Sequence, residues 1–119
     1  MKKTLILGAT ENPDRYAYKA AQRLTEKGHD VYAIGRREGN VFGTAITTEK
    51  VSFNNVDTVT LYLSPQNQKE YYDYILSLKP RRVIFNPGTE NPELIELLKI
   101  NGIEVEVGCT LVMLSIGNY

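Results

Sequence analysis

A short apolar run, Leu5–Leu7, ends at Gly8 and leads through a polar turn into an alanine-rich stretch. The apolar residues of that stretch recur at helical spacing, and they are Ala17, Ala20, Ala21 and Leu24. A strand, a tight turn and a helix in this order are typical of a parallel sheet covered by helices. In such a sheet the turn lies at the carboxyl end of the strand, where free N–H groups at the helix start can hold an anion. We therefore expect the binding site at this turn.

Strand and helix patterns continue to alternate along the rest of the chain. Further strands are predicted at Asp30–Ile34, Val56–Leu63, Arg82–Asn86 and Ile103–Val107, with a weak edge strand at Thr44–Ile46. The first predicted helix begins between Asn12 and Arg15 and ends at Gly28. The second runs from Pro65 to Lys79 and is capped by Ser64, and the third runs from Pro92 to Asn101 and is capped by Asn91. A short fourth helix is predicted within the tail Cys109–Ser115.

This alternation predicts an α/β fold in a single domain spanning residues 1–119. The expected architecture is Rossmann-like and doubly wound, with a mostly parallel sheet of five to six strands and helices on both faces. The crossovers between parallel strands should be right-handed. In the doubly wound order the first strand should be central. The chain should then reverse direction between the second strand and the strand at Val56.

Two groups of side chains bear on self-association. On the second predicted helix, Tyr72 is expected in the core, whereas Tyr71 and Tyr74 are expected at the surface or at a subunit contact. The tail Leu111–Ile116 is apolar and suits either the core or a subunit contact. These features are compatible with a homodimer.

Charge and cysteine content limit the class of protein. Fourteen basic and fourteen acidic residues cancel, so no overall field favours nucleic acid or an anionic membrane, and neither is an expected partner. The lone Cys109 cannot form an internal disulfide, which suits a reducing compartment.

The first apolar run is short and is interrupted at Glu11–Arg15, unlike a signal peptide, and no run approaches the ~20 apolar residues that span a bilayer. A cytoplasmic location is expected.

Ligands of doubly wound sheets lie beyond the carboxyl ends of the strands, at the point where the chain reverses. The residues predicted there are small, polar, basic or proline. They are Gly8, Ala9, Thr10, Asn12, Arg15, Gly35, Arg36, Arg37, Ser64, Pro65, Asn86, Pro87 and Gly88. Their convergence at one edge predicts a small-molecule ligand that resembles a nucleotide.

The first turn lacks the glycine triplet of the dinucleotide-binding fingerprint, because only Gly8 is present. Thr10 could donate its hydroxyl to a phosphate, and Arg15 could pair with one. The alternative is that Thr10 and Asn12 only shape the turn and that Arg15 is solvated.

Arg36 and Arg37 follow the second strand, where an NAD-binding protein usually has an acid for the ribose hydroxyls. Arginine instead favours a phosphate on the ribose, which both coenzyme A and NADP carry. The alternative is a surface loop with two solvated arginines near Glu38.

No pair of residues has the pattern of a nucleophile and its base. His29 is predicted at the opposite, amino end of the sheet, and Cys109 has no histidine near it in sequence. The chain has no metal-ligand spacing of Cys or His. We therefore expect neither catalytic activity nor a bound metal ion.

Two other functions are compatible with the sequence. One is a small NADP-binding, reductase-like protein, and the other is a dimerising interaction protein with a vestigial nucleotide pocket.

Four motifs together resemble the small stand-alone CoA-binding domain proteins, which are similar to the amino-terminal domain of the succinyl-CoA synthetase alpha subunit. They are Gly-Ala-Thr-x-Asn-Pro-Asp-Arg-Tyr-x-Tyr-Lys-Ala at residues 8–20, Gly-His-Asp-Val-Tyr at residues 28–32, Asn-Pro-Gly-Thr-Glu-Asn at residues 86–91, and Cys-Thr-Leu-Val-Met-Leu at residues 109–114. One departure is Ile-Gly-Arg-Arg at residues 34–37, where the family usually has Val-Asn-Pro followed by a basic residue.

The resemblance implies a Rossmann-like fold with coenzyme A across the strand ends. It implies that Gly8, Ala9, Thr10 and Arg15 meet phosphates. It also implies that Ser64-Pro65 and Asn86-Pro87-Gly88 border the pantetheine arm. The function expected from it is a non-catalytic binding module for coenzyme A or an acyl-CoA.

Overall fold

The computed structural model describes residues 1–119. Its seven strands are β1 (Thr4–Leu7), β2 (Val31–Ile34), β3 (Gly39–Val41), β4 (Thr44–Thr47), β5 (Thr58–Leu61), β6 (Arg82–Phe85) and β7 (Glu104–Val107). Its helices are α1 (Tyr16–Glu26), α2 (Pro65–Gln68), α3 (Tyr72–Leu78), α4 (Pro92–Ile100) and α5 (Thr110–Ser115).

All seven strands form one sheet in the order β3-β4-β2-β1-β5-β6-β7. Every neighbouring pair is parallel except β3 and β4, which are antiparallel. The chain moves outward from β1 through β2, then returns to the other side of β1 at β5. The predicted reversal beside the first strand is therefore confirmed, as is the Rossmann-like α/β class.

The prediction of five to six strands was too low. The difference is a hairpin of β3 and β4, joined by a turn in which Phe42 and Gly43 both have positive φ. Asn40 Oδ1 accepts the Gly43 N–H at 3.1 Å within this turn. The hairpin places β3 at the sheet edge and β4 inside it, whereas the sequence predicted a single edge strand at Thr44–Ile46.

Two apolar clusters cover the two faces of the sheet, because alternate residues of each strand point to opposite faces. On one face, Leu5 and Leu7 of β1 pack in a cluster with residues of α3 and α4. On the other face, Ile6 packs with the small side chains of α1 and with Leu114 of α5. The alanine face predicted for the first helix is buried as expected.

The predicted helix from Pro65 to Lys79 is broken. A 3₁₀ turn, Lys69–Tyr71, separates α2 from α3. A 3₁₀ turn rotates about 120° per residue instead of about 100°, so it changes which residues face inward. As a result Tyr74 is buried and Tyr72 only half-buried, and the assignment of Tyr72 to the core and Tyr74 to the surface was wrong.

The predicted helix caps differ in outcome. Asn91 caps α4 as predicted, since its Oδ1 accepts the Leu94 N–H at 3.3 Å. Ser64 stands at the cap position of α2, but its hydroxyl makes no capping bond there. In α1 the cap position is Arg15, at the end of the range predicted for the start of this helix, and its side chain makes no capping bond.

Tyr119 closes the amino-end edge of the sheet, opposite the predicted site. Its hydroxyl bonds the Thr4 hydroxyl, and its ring lies 4.4 Å from the guanidinium carbon of Arg82. Arg82 is 3% exposed; its Nε donates to Thr58 Oγ1 at 2.9 Å, while its Nη2 has no partner. The His29 ring meets the Tyr119 ring edge-on at 4.9 Å. Tyr119 is therefore attached to the sheet through both its hydroxyl and its ring.

None of the helices combines the length and the apolar character that crossing a membrane requires.

Candidate functional site

A cleft of about 110 Å³ opens at the carboxyl ends of β1 and β2, at the point where the chain reverses. Its lining residues come from β1, β2 and the segment after β5, and they are Gly8, Ile34, Gly35, Arg36, Leu63, Asn67, Glu70 and Tyr71. Three of the predicted site residues, Gly8, Gly35 and Arg36, therefore come together here. The position agrees with the general rule for doubly wound sheets.

The two glycines make the cleft because no side chain fits at either position. Gly8 has φ +100°, and a Cβ there would stand 3.0 Å from the backbone carbonyl of Tyr62. A Cβ at Gly35 would overlap the carbonyl oxygen of Ala9. The backbones of adjacent turns thus approach closely, as a bare-backbone ligand site requires.

The backbone N–H groups of the first turn differ in whether they are engaged within the chain. Those of Gly8 and Ala9 both donate to the Ile34 carbonyl oxygen at 2.9 Å and so belong to the sheet. The N–H groups of Thr10 and Glu11, by contrast, have no acceptor within the chain. The first N–H groups of α1 are likewise free, as at any helix start. The backbone donors available to an anion are therefore those of Thr10, Glu11 and the start of α1.

Thr10 and Asn12 both shape the turn through their side chains. Thr10 Oγ1 accepts the Asn12 N–H at 3.1 Å, and Asn12 Oδ1 accepts the Asp14 N–H at 3.0 Å. These are the local side-chain bonds that stabilise a tight turn before a helix. They leave the Thr10 hydroxyl hydrogen free to donate.

The three predicted arginines differ in position. Arg15 is exposed at the cap position of α1, and Arg36 lines the cleft. Arg37 is exposed and lies outside the cleft lining. No carboxylate pairs with any of the three, since both ion pairs of the chain involve Arg81. Arg36 is therefore an exposed cation in the cleft lining without an ion-pair partner, and Glu70 is the one carboxylate in that lining.

Sequence reasoning missed Asn67, Glu70 and Tyr71, which form the wall of the cleft opposite β2. Asn67 Nδ2 donates to Ser64 Oγ at 3.1 Å. Lys50 Nζ lies 5.1 Å from the centre of the Tyr71 ring and donates to the Glu70 carbonyl at 2.6 Å. Burial raises the pKa of the Tyr71 hydroxyl, with the Glu70 carboxylate adding to the effect. Because these residues were assigned to a regular helix, only their proximity to Ser64 and Pro65 could have indicated them.

Asn86, predicted to border the ligand, is 2% exposed and fully engaged inside the protein. Its Nδ2 donates to Thr60 Oγ1 at 2.6 Å and to the Leu61 carbonyl at 2.9 Å. Its Oδ1 accepts the Thr110 N–H at 2.9 Å. Asn86 therefore ties the end of β6 to β5 and to the start of α5, while Pro87 and Gly88 beside it are exposed.

Gln68 supports the cleft wall from beneath and was also missed. It is fully buried, and its Nε2 donates to the carbonyls of Leu63 at 2.9 Å and Thr89 at 2.8 Å. Its Oε1 accepts from Asn91 Nδ2 at 2.9 Å, and the same Asn91 amide donates to Tyr72 Oη at 2.8 Å. This buried network joins the turn after β5 to the turn after β6.

The two candidate reactive side chains lie at opposite ends of the sheet. His29 Nδ1 accepts the Lys2 N–H at 3.0 Å at the amino end. Cys109 is a free, half-buried thiol at the carboxyl end, at the cap position of α5. No group of three His, Cys, Asp or Glu side chains is arranged to hold a metal.

A family model described as "CoA binding domain" matches residues 2–115. No curated protein matches the chain.

Solved structures share the fold over almost the whole chain. A crystal structure described as that of an uncharacterized protein is 61% identical, with a TM-score of 0.98, and the match covers 100% of this chain and 98% of that one. A Thermus thermophilus protein, described as cell-free ID.343, is 22% identical with a TM-score of 0.88, covering 99% and 90%. A hypothetical protein from Pyrococcus horikoshii OT3 is 24% identical with a TM-score of 0.86, covering 93% and 80%.

Proposed function

The chain belongs to the CoA-binding domain family, and from that membership we propose that it binds coenzyme A or an acyl-CoA without chemistry of its own. The observation that carries this proposal is the coincidence of two results. The family match spans residues 2–115, and at the reversal point of its sheet the chain has a cleft lined by an arginine without an ion-pair partner.

The adenosine part of the ligand is assigned to the cleft. Leu63 and the aromatic ring of Tyr71 offer apolar surface to a base, and Arg36 offers a guanidinium to the ribose 3′-phosphate. A hydrogen bond to a charged group contributes about 1.5–3 kcal/mol, which is about 10- to 150-fold in affinity. Coenzyme A carries this phosphate, and 3′-dephospho-CoA lacks it.

The diphosphate is assigned to the turn before α1. The free N–H groups of Thr10 and Glu11 and the start of the helix provide donors for its oxygens, and Arg15 provides charge. The pantetheine arm then follows the strand ends past Ser64-Pro65 and Pro87-Gly88, of which all but the half-buried Pro65 are exposed.

We infer that the chain has no catalytic activity from the position of its only histidine. His29 lies at the amino end of the sheet, across the molecule from the cleft, and so cannot serve Cys109 or a ligand thioester as a base.

NADPH fluorescence quenching with turnover of a carbonyl substrate would instead favour the reductase-like alternative.

Calorimetric titration with coenzyme A and 3′-dephospho-CoA tests the proposal directly. We expect coenzyme A to bind more tightly by about 10-fold or more. The matched variants are Arg36→Ala, inside the cleft, and Arg37→Ala, outside it. Arg36→Ala should remove the preference for coenzyme A, and Arg37→Ala should leave it in place.

Equal heats for the two ligands, or no heat for either, would reject the assignment. Silence toward every nucleotide tested would favour an interaction protein with a vestigial pocket.

A further inference from the structure

One face of the molecule, independent of the cleft, carries three parallel strips of different character. The basic strip is Lys19 and Arg23 on α1. The apolar strip is Val112 on α5 and Ile116 at the cap position directly after it, which are 54% and 66% exposed. The acidic strip is Glu104 and Glu106 on β7. Each strip pairs residues that share one side of their element, at i and i+4 on the helices and at i and i+2 on the strand.

The lateral order of the strips follows from the contacts of α5. On one side α5 packs beside α1, leaving a groove of about 280 Å³ whose lining includes Lys19, Arg23 and Leu111. The start of α5 is held over β5 and β6, because the Thr110 hydroxyl bonds Thr60 Oγ1 at 2.8 Å and its N–H bonds Asn86. The edge strand β7 lies on the other side. The apolar strip is therefore in the middle.

The acidic strip faces the same way as α1 and α5. Val105 packs in the core cluster of the opposite face, and neighbouring strand residues point to opposite faces. Glu104 and Glu106 consequently point to the α5 side. Lys19, Arg23 and Glu106 form no ion pair within the chain, and Glu104 has only an exposed contact with Arg81 at 3.7 Å.

We propose that this face is the interface of a homodimer, with a second copy of the chain as its partner. A two-fold axis that runs along α5, parallel to the strands, exchanges the two flanks of the face. Each basic strip then meets the acidic strip of the other copy, and the apolar strips meet at the centre. An interface with a two-fold axis must be complementary to itself, and this order of charges satisfies that condition.

An axis at right angles, across the strands, would bring like charges together. The charge pattern therefore also selects the orientation of the dimer.

Light scattering and analytical ultracentrifugation of the full chain test this inference. We expect a dimer mass at about 0.1 M salt and weaker association at about 1 M salt, because the screening length falls from roughly 10 Å to roughly 3 Å. Lys19→Glu with Arg23→Glu should give a monomer, and so should Glu104→Lys with Glu106→Lys.

Mixing those two double variants is the decisive measurement. Lys19→Glu with Arg23→Glu makes both flanks of the face acidic, and Glu104→Lys with Glu106→Lys makes both flanks basic. The mixture should therefore restore a dimer that neither variant forms alone. Glu93→Lys with Glu96→Lys, on the outer face of α4, is the matched control and should stay dimeric. A monomeric natural chain, or a mixture that stays monomeric, would overturn the proposal. So would a dimer that survives both charge reversals.

Discussion

The carbonyl oxygen of Ala9 lies against the α-carbon of Gly35, leaving no room for a side chain at position 35. This contact joins the turn after β1 to the turn after β2 and sets the width of the cleft. Gly8 makes a similar approach to the backbone of Tyr62. The base of the cleft is therefore made of backbone, and its shape depends on glycine.

Gly35→Ala should destabilise the fold, because the new methyl group overlaps backbone rather than a flexible side chain. We expect a loss of about 1–3 kcal/mol in the free energy of unfolding, as overpacked sites commonly show. Gly108→Ala is the control, since nothing lies within 4 Å of a Cβ there. Urea denaturation of both variants measures the difference. Equal midpoints would mean that the two turns can move apart.

Asn86→Ala should be among the most destabilising polar substitutions. It removes the acceptor of the buried Thr110 N–H and a donor to the Leu61 carbonyl, and each unsatisfied buried group costs about 1–3 kcal/mol. Asn54→Ala, at an exposed position, should change stability by no more than about 0.5 kcal/mol. Thermal unfolding followed by circular dichroism compares them. A mild effect at Asn86 would show that water replaces its bonds.

Stability should fall as the solution is acidified through the range in which His29 titrates. Burial lowers the pKa of His29 below its usual 6.5, and the Lys2 ammonium lowers it further. The Lys2 N–H bond to Nδ1 also requires the neutral ring. The unfolded chain therefore binds the proton more readily than the folded chain.

His29 thus contributes its full stabilisation above pH 6.5, and the contribution is lost as the pH falls from there toward the folded-state pKa. Urea midpoints measured from about pH 5 to about pH 8 should show this decline. His29→Gln keeps an acceptor for Lys2 but does not titrate, so its midpoints should be flatter over the same range. An identical decline in both proteins would assign it to another group.

Tyr119 and Arg82 should be energetically coupled. Arg82 is buried with an unpartnered Nη2, and the Tyr119 ring covers its guanidinium at 4.4 Å. A double-mutant cycle with Tyr119→Leu and Arg82→Met should give a coupling energy of about 1–2 kcal/mol, the range of desolvated cation–π contacts. Tyr119→Phe isolates the hydroxyl bond to Thr4 and should cost about 1 kcal/mol. Additive effects in the cycle would mean that the ring only fills space.

Sequence reasoning predicted the elements that depend on local pattern. The apolar run before Gly8, the alanine face of α1 and the Asn91 cap of α4 are readable because their periodicity and capping involve residues close together in the chain. The order of the central strands was also predictable, since right-handed crossovers leave few arrangements. Gly8, Gly35 and Arg36 reached the cleft because they directly follow strands that were recognised.

The remaining features depend on contacts between distant segments. The 3₁₀ turn at Lys69–Tyr71 contributes Glu70 and Tyr71 to the cleft wall, and no local pattern distinguishes that turn from a continuous helix. Gln68 became a buried support because Thr89 and Asn91 meet it across the sheet edge. The sequence by itself determined the alternating elements and the edge at which a ligand could lie. Tertiary structure alone decided which amides remained free there. The N–H groups of Gly8 and Ala9 can donate to the Ile34 carbonyl oxygen only once β1 and β2 are paired.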